Sequence, residues 1–345
     1  MERSKILSAY ALPGRDADSR VAIHHAIAAE RIGLGAIWAS ERWEGKETGA
    51  ICGAIAYATS RIQIVAGLIH FTGRHPMVTA GLGATMQRLS GNRFVMGVGR
   101  SSPERLKRQG FPVFNLVHMR DYADILRRLW RGERVSYDGP VGTFADMELM
   151  QLPEVVPPVI LGATGPKTLA LGGEAFDGVV LHPFLTVEGA RKSIGIIRDA
   201  ADRAGRDPAS VKVTACVVTA PDTLPDEEKR RIVDARAMTY FRGPALAKAL
   251  VDANDWDEGQ LTPLLASGLR GLEPKGVDLE SVRRFTEAAK LMPPEWLTEG
   301  AAVGSVEHIA KRLDDYRAAG ADEILIHGST PDNLGAVVEA YTAYR

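Results

Sequence analysis

The segment from Ile64 to Ser102 does most to limit what this chain can fold into. There IVAGLIHFTGRHP leads through a helix-like run into LSGNRFVMGVGRSS. Two apolar, β-branched-rich runs each end in a polar cluster, Gly67–His75 and Gly99–Ser102, with one amphipathic helix between them. In a β/α protein such clusters fall where strands hand over to helices, on the face that bears active sites.

The same alternation extends over nearly the whole chain. Strands are expected at about Lys5–Leu12, Gly35–Ala39, Ile62–Ile69, Arg93–Gly97, Pro158–Gly162, Gly178–His182, Val211–Thr219 and Glu323–His327. Helical runs follow most of them: Arg20–Ile32, Gly49–Ser60, Pro76–Leu89, His118–Trp130, Pro166–Glu174, Val187–Ala204 and Pro331–Tyr344. Strands separated by helices imply right-handed parallel crossovers, and eight such units imply a closed (β/α)8 TIM barrel of the α/β class. Two segments exceed a minimal barrel. Leu106–Phe114 interrupts the fourth unit, and Pro221–Glu299 is too long for a single crossover. The second reads as a helical insertion between the seventh and eighth strands. Over the catalytic face it would be a lid or pocket wall; elsewhere it would serve packing or dimerisation. No repeat or linker divides residues 1–345, so a single domain is expected.

Composition removes several classes of function. Lys and Arg number 42 against 43 Asp and Glu, giving a net charge of −1, and no basic run suggests a phosphate-backbone footprint. No nucleic acid partner is therefore expected. Nothing approaches the roughly 18 apolar residues of a membrane span. MERSKILSAYAL lacks the apolar core of a secretory signal, so a soluble cytoplasmic protein is expected. Cys52 and Cys216 sit in apolar runs and read as buried and reduced. No HExxH or paired CxxC appears among the scattered histidines, so no metal is expected, and GxSxG and P-loop motifs are missing too.

The strand ends hold the chemistry. The second ends in Glu41-Arg42-Trp43, joining a carboxylate, a guanidinium suited to bidentate or fixed-charge contacts, and an indole for stacking. Alternatively Glu41 and Arg42 simply pair at the rim. Gly67 inside the third strand marks a bulge or a close backbone approach, and His70 beyond it is either a proton donor or structural. His75-Pro76 reads as a helix start. The fourth ends in Gly97-Val98-Gly99-Arg100-Ser101-Ser102, where Ser102 occupies the third-glycine position of a dinucleotide fingerprint. That turn could still hold a polar or anionic ligand. Gly162-Ala163-Thr164-Gly165, followed by a helix start at Pro166, suits a phosphate or is merely a tight turn. His182 and His327 close the sixth and eighth strands.

In this order the strand ends resemble those of the luciferase-like flavin and deazaflavin oxidoreductases. The likeness rests on GAIWASERW, IVAGLIHFTGRHP…TMQRLSGNRFVMGVG, PPVILGATGPKTLALGGEAFDGVVL and VGSVEHIAKRLDDYRAAGADEILIH. It implies a (β/α)8 barrel, usually homodimeric, with coenzyme F420 or FMN at its C-terminal mouth and a small-molecule substrate. In the deazaflavin members it further implies a non-proline cis peptide, here Gly67–Leu68, against the ring. It places the cofactor phosphate near Gly162–Gly165 and Trp43 near ring or substrate. Cofactor contacts are thus expected from Trp43, Gly67, Leu68, Gly99, Arg100, Ser101, Gly162, Ala163, Thr164, Gly165 and His182. The outline is that of F420-dependent glucose-6-phosphate dehydrogenases, but their catalytic His falls on Arg42 and their acidic residue on Ser102. Arginine cannot serve as a base. Glu41 or His70 is therefore the proton-transfer candidate, with Arg42 facing a substrate carbonyl or carboxylate or the anionic reduced ring. Arg74, Arg100 and Lys167 suit the acidic tail of F420. The alternatives are an FMN-dependent monooxygenase and a barrel that binds a partner without cofactor.

Overall fold

A strand covered on both faces must be apolar at nearly every position, and LSAYA, AIWA and FVMGVG meet that demand. In the computed structural model, which describes residues 3–12, 18–270, 272 and 279–344, they form β1 (Leu7–Ala11), β2 (Ala36–Ala39) and, after β3 (Gln63–His70), β4 (Phe94–Gly99). A hairpin of β5 (Val135–Gly139) and β6 (Gly142–Met147) lies apart from them. The sheet continues through β7 (Val159–Ala163), β8 (Gly178–Leu181), β9 (Lys212–Pro221) and, after the short β10 (Ala301–Gly304), β11 (Glu323–Gly328). The eight main strands run parallel in the order β1-β2-β3-β4-β7-β8-β9-β11, and β11 pairs with β1. The ring is closed, as expected of a (β/α)8 barrel.

Helices α1 (Val21–Arg31), α2 (Thr48–Ala58), α3 (Pro76–Ser90), α4 (Pro103–Arg108), α5 (Leu116–Trp130), α6 (Pro166–Ala175) and α7 (Val187–Arg203) link the first strands. Their ends follow local chemistry. His75 caps α3 by accepting the Met77 N–H at 3.2 Å, Pro76 fills the first turn, and Gly91 at φ 64° ends it. The barrel interior is filled by Ala36, Trp38, Val65, Val95, Ile160, Val180, Cys216 and Leu325, with Tyr10 and Leu68 packed against them. At its other end Glu323 opens β11, accepting hydrogen bonds from Trp38 Nε1 at 3.0 Å and from Ser8.

The long segment before the last strand is helical: α8 (Asp226–Arg230), a π-helical stretch (Arg231–Ala235), α9 (Arg236–Phe241), α10 (Pro244–Asn254), α11 (Leu261–Leu265), α12 (Leu279–Ala289) and α13 (Pro294–Gly300). Residues 271 and 273–278 of the expected insertion lie outside the described residues. It returns through β10, which pairs with Val218–Pro221, while Lys212–Thr214 of the same β9 pair with β8. Helices α14 (Val306–Ala318) and α15 (Gly335–Ala343) complete the ring.

Two elements depart from expectation. The β5–β6 hairpin escapes sequence reading because most of its residues are exposed, so no apolar run marks it. β10 is four residues long and pairs only beyond the barrel. Both cysteines are buried free thiols. No helix among the described residues is long and apolar enough to cross a membrane.

Candidate active site

At the C-terminal ends of the strands lies a cavity of about 240 Å³. Every barrel strand reaches it: Tyr10 from β1, Arg42 after β2, Leu68 and His70 of β3, and Gly99 with Arg100 at the end of β4. Gly162 and Ala163 of β7, His182 after β8, Cys216 of β9 and His327 of β11 complete the circle. Tyr240 of α9 comes in from the insertion, which is therefore a wall of this pocket.

One side of the cavity is a shelf built by glycine. The register of β3 against β4 shifts between Ala66 and Ile69, and the Gly67–Leu68 peptide is cis, as the resemblance implies. A Cβ on Gly67 would collide with the Trp38 ring, so the backbone lies directly on the barrel core. Leu68 then reaches across the mouth, where a Cβ on Gly97, Gly99 or Gly162 would strike its methyl groups. The missing side chain of Gly162 makes room for Leu68, while Gly162 itself still lines the cavity. Thr164 lines the cavity, and Gly165 caps α6 in open space with no side chain of its own on the helix start.

The expected proton-transfer residues fare differently. Glu41 is buried, and its carboxylate is fully engaged: Arg74 donates at 2.7 Å and the His70 backbone N–H at 2.8 Å. It is not among the lining residues, so its position is that of a tie between the ends of β2 and β3. Arg42 does not pair with that carboxylate; its Nη1 donates to the Glu41 carbonyl at 2.9 Å while its side chain borders the cavity. His70 does face the cavity, and neither ring nitrogen has a partner among the described residues. Burial, helped by the nearby Arg105, Arg42 and Arg74, pushes its imidazole down to about 4, so it is neutral at pH 7. Trp43 stands behind it, with ring centroids 4.4 Å from those of His70 and Phe111. Neither Trp43 nor Ser101 lines the cavity itself.

The far wall holds residues that the sequence did not single out. Tyr240 lies edge-on to His182 with centroids 4.5 Å apart, and its hydroxyl is 3.2 Å from His327 Nε2. Arg236 of the same helix donates to that nitrogen at 3.1 Å. Burial pushes His182 down to about 4 and His327 well below its ordinary value, and it raises the Cys216 thiol to about 12. Tyr10 was detectable in principle, two positions after Ser8 on the inward period of β1. Arg236 and Tyr240 were not, because their segment shows no motif.

A closed parallel barrel with a ligand-sized mouth and neutral imidazoles on both sides defines an enzyme of the (β/α)8 class. The luciferase-like monooxygenase family model matches residues 7–323, and the chain belongs to that family. It is 27% identical to an F420-dependent glucose-6-phosphate dehydrogenase of Amycolatopsis mediterranei, over 79% of this chain and 93% of that protein. A putative coenzyme F420-dependent oxidoreductase of Mycobacterium tuberculosis is 23% identical over 89% of this chain and 90% of its own. Among solved structures, the coenzyme F420-dependent tetrahydromethanopterin reductase of Methanopyrus kandleri aligns with a TM-score of 0.80 at 18% identity, covering 98% of this chain and 97% of that one. An EDTA monooxygenase of Chelativorans aligns at 0.68 and 16% identity, over 97% of this chain and 92% of its own. At these identities the structural likeness is one of fold.

Proposed function

We propose that the protein is a coenzyme F420-dependent oxidoreductase that moves a hydride between the deazaflavin and a small organic substrate. The observation behind this reading is the shelf of Leu68 on Gly97, Gly99 and Gly162, facing uncharged imidazoles in a mouth that no Asp or Glu among the described residues lines. A flat, partly apolar ring with hydrogen-bonding edges fits such a place. The unpartnered nitrogens of His70 supply the polar partners it needs. Relatives named for F420 that align over most of this chain support the same choice.

When bound, the deazaflavin would supply the hydride chemistry. Leu68 would support the ring, His70 would bond its edge, and Thr164, Gly165 and the start of α6 would receive the phosphate. Arg100 would face the acidic tail. Arg42 and Tyr240 would border the substrate, and the insertion would exclude water. Titration of the purified protein with F420, followed by deazaflavin fluorescence, tests the reading against a parallel titration with FMN. F420 should bind at least about tenfold more tightly than FMN, or 1.4 kcal/mol. Preferential FMN binding would indicate the monooxygenase reading, and binding of neither would indicate a barrel without cofactor.

We also propose a homodimer. The family resemblance supports it, as does apolar surface at Leu89, Met150, Leu152 and Val155, where Arg88 donates to the Gln151 and Leu152 carbonyls. Sedimentation velocity at micromolar concentration should show a dimer; a monomer would remove this element.

A further inference from the structure

His327 has its two ring nitrogens in unlike circumstances. Nε2 lies 3.1 Å from Arg236 Nη1 and 3.2 Å from the Tyr240 hydroxyl. A guanidinium has no acceptor, so Nε2 must be the unprotonated nitrogen. The proton of the neutral ring therefore resides on Nδ1. That Nδ1–H is buried, belongs to a residue lining the cavity, and has no hydrogen-bond partner among the described residues. A buried donor left unmade is costly, so such a group calls for an acceptor from the ligand.

The position says which ligand. Leu68, Gly99 and Gly162 form the shelf on β3, β4 and β7, whereas His327, His182, Cys216 and Tyr10 come from β11, β8, β9 and β1 around the rest of the ring. The insertion adds Tyr240 beside them. A molecule lying between shelf and wall would meet His327 on the side away from the shelf.

We propose that Arg236 and Tyr240 fix His327 as its Nδ1–H tautomer, and that this N–H binds the oxygen of a carbonyl substrate or of the alcohol formed from it. The inference rests on the deazaflavin reading, whose reduced cofactor is the hydride source. As the carbonyl carbon takes up hydride, the π electrons of C=O become a lone pair on oxygen, and the Nδ1–H bond strengthens with that charge. No proton leaves His327; the alkoxide takes its proton from solvent water as the site opens to release the product. A neutral imidazole serves here as an electrophile, a role known for histidines held uncharged. The burial that keeps His327 far below its ordinary value keeps it in that form at pH 7. An alkene would leave the donor unpaired.

Nitrogen NMR of the full chain labelled in histidine tests the first half without any cofactor, with His327→Asn identifying the resonance. At pH 7 His327 should be neutral with its proton on Nδ1. The double variant Arg236→Met, Tyr240→Phe should show a mixture of tautomers. A protonated Nε2 or an imidazolium in the wild type would overturn the proposal. For the second half, cyclohexanone added to the F420-loaded protein should shift the Nδ1 proton saturably, and methylenecyclohexane should not. His327→Phe should bind F420 within about threefold of wild type and bind cyclohexanone at least about tenfold more weakly. Equal responses to the two probes, or no response while F420 binds, would overturn the carbonyl assignment. Failure of F420 itself to bind would instead strike the cofactor reading and leave the tautomer result standing.

Discussion

Leu68 occupies the space that a side chain at Gly162 would need, so two residues 94 positions apart share one volume at the barrel mouth. This contact couples the β3 bulge to β7 and sets the level of the cavity floor. Substituting either residue must therefore be felt by the other.

Gly162→Ala should cost about 1–3 kcal/mol by overpacking, read as a lower urea midpoint with unchanged slope. In a Leu68→Ala background the same substitution should cost markedly less, with a coupling energy above about 0.5 kcal/mol. Strict additivity would show that the two side chains do not compete. Because Leu68 also forms the shelf, Leu68→Ala should weaken binding of a flat ring.

The buried carboxylate of Glu41 is neutralised by Arg74, which contacts it at 2.7 Å with only 3% of the Glu41 side chain exposed. Arg74 also pairs with the more exposed Glu47. Arg74→Met leaves a buried charge without its counterion and should destabilise the fold by about 3–5 kcal/mol in chemical denaturation. Glu41→Gln keeps the acceptor for the His70 N–H and should lose less. Turnover per folded molecule in Glu41→Gln should stay within about threefold of wild type, or 0.7 kcal/mol. A collapse of kcat in a folded Glu41→Gln protein would restore Glu41 as the proton-transfer group.

Much of this architecture was legible in the chain, and the reason is physical. Barrel strands are apolar on both faces, so runs such as QIVAGLIH and FVMGVG announce themselves, and the polar residues that end them mark the mouth. What stayed hidden had no such signature. The β5–β6 hairpin is mostly exposed and lacks a long apolar run. Tyr240 and Arg236 lie on one helix of an insertion whose contacts depend on how it folds back over the mouth. Residue type also misled: Glu41 beside Arg42 looks like a reactive pair, yet its charge is met by Arg74, 33 positions away. The contact of Gly162 with Leu68 was hidden too, because backbone freedom and lack of volume leave the same letter in a sequence.

Histidines buried uncharged make stability depend on acid. His70 and His182 titrate at about 4 in the folded chain, chiefly because burial disfavours their charged forms, against about 6.5 when unfolded. Above pH 6.5 neither state binds the proton and nothing is lost. Below it the unfolded chain takes up protons that the folded chain refuses, so stability falls between pH 6.5 and 4. Each histidine contributes a slope of up to about 1.4 kcal/mol per pH unit. Thermal melting across pH 7.5 to 4.5 should show this fall, and it should be shallower in His182→Phe. An identical pH dependence in wild type and variant would show that His182 is solvated.

Glu323 presents the opposite sign. It is buried at the start of β11, and desolvation raises its carboxyl above the usual range even though Ser8 and Trp38 donate to it. Its neutral form is favoured by the fold, so this group contributes stability at low pH that is lost as pH rises from the ordinary glutamate value through the raised one. At any pH above that raised value the folded chain holds a charge that burial disfavours. Glu323→Gln keeps an acceptor for Trp38 Nε1 and removes the charge, and should raise stability by about 0.5–2 kcal/mol at pH 7.5. The gain should shrink as pH is lowered and the wild-type carboxyl takes up its proton. Denaturant unfolding of both proteins at pH 7.5 and at lower pH checks this. A variant less stable than wild type at pH 7.5 would show that the hydrogen bonds from Ser8 and Trp38 outweigh burial and that the carboxylate is the favoured form.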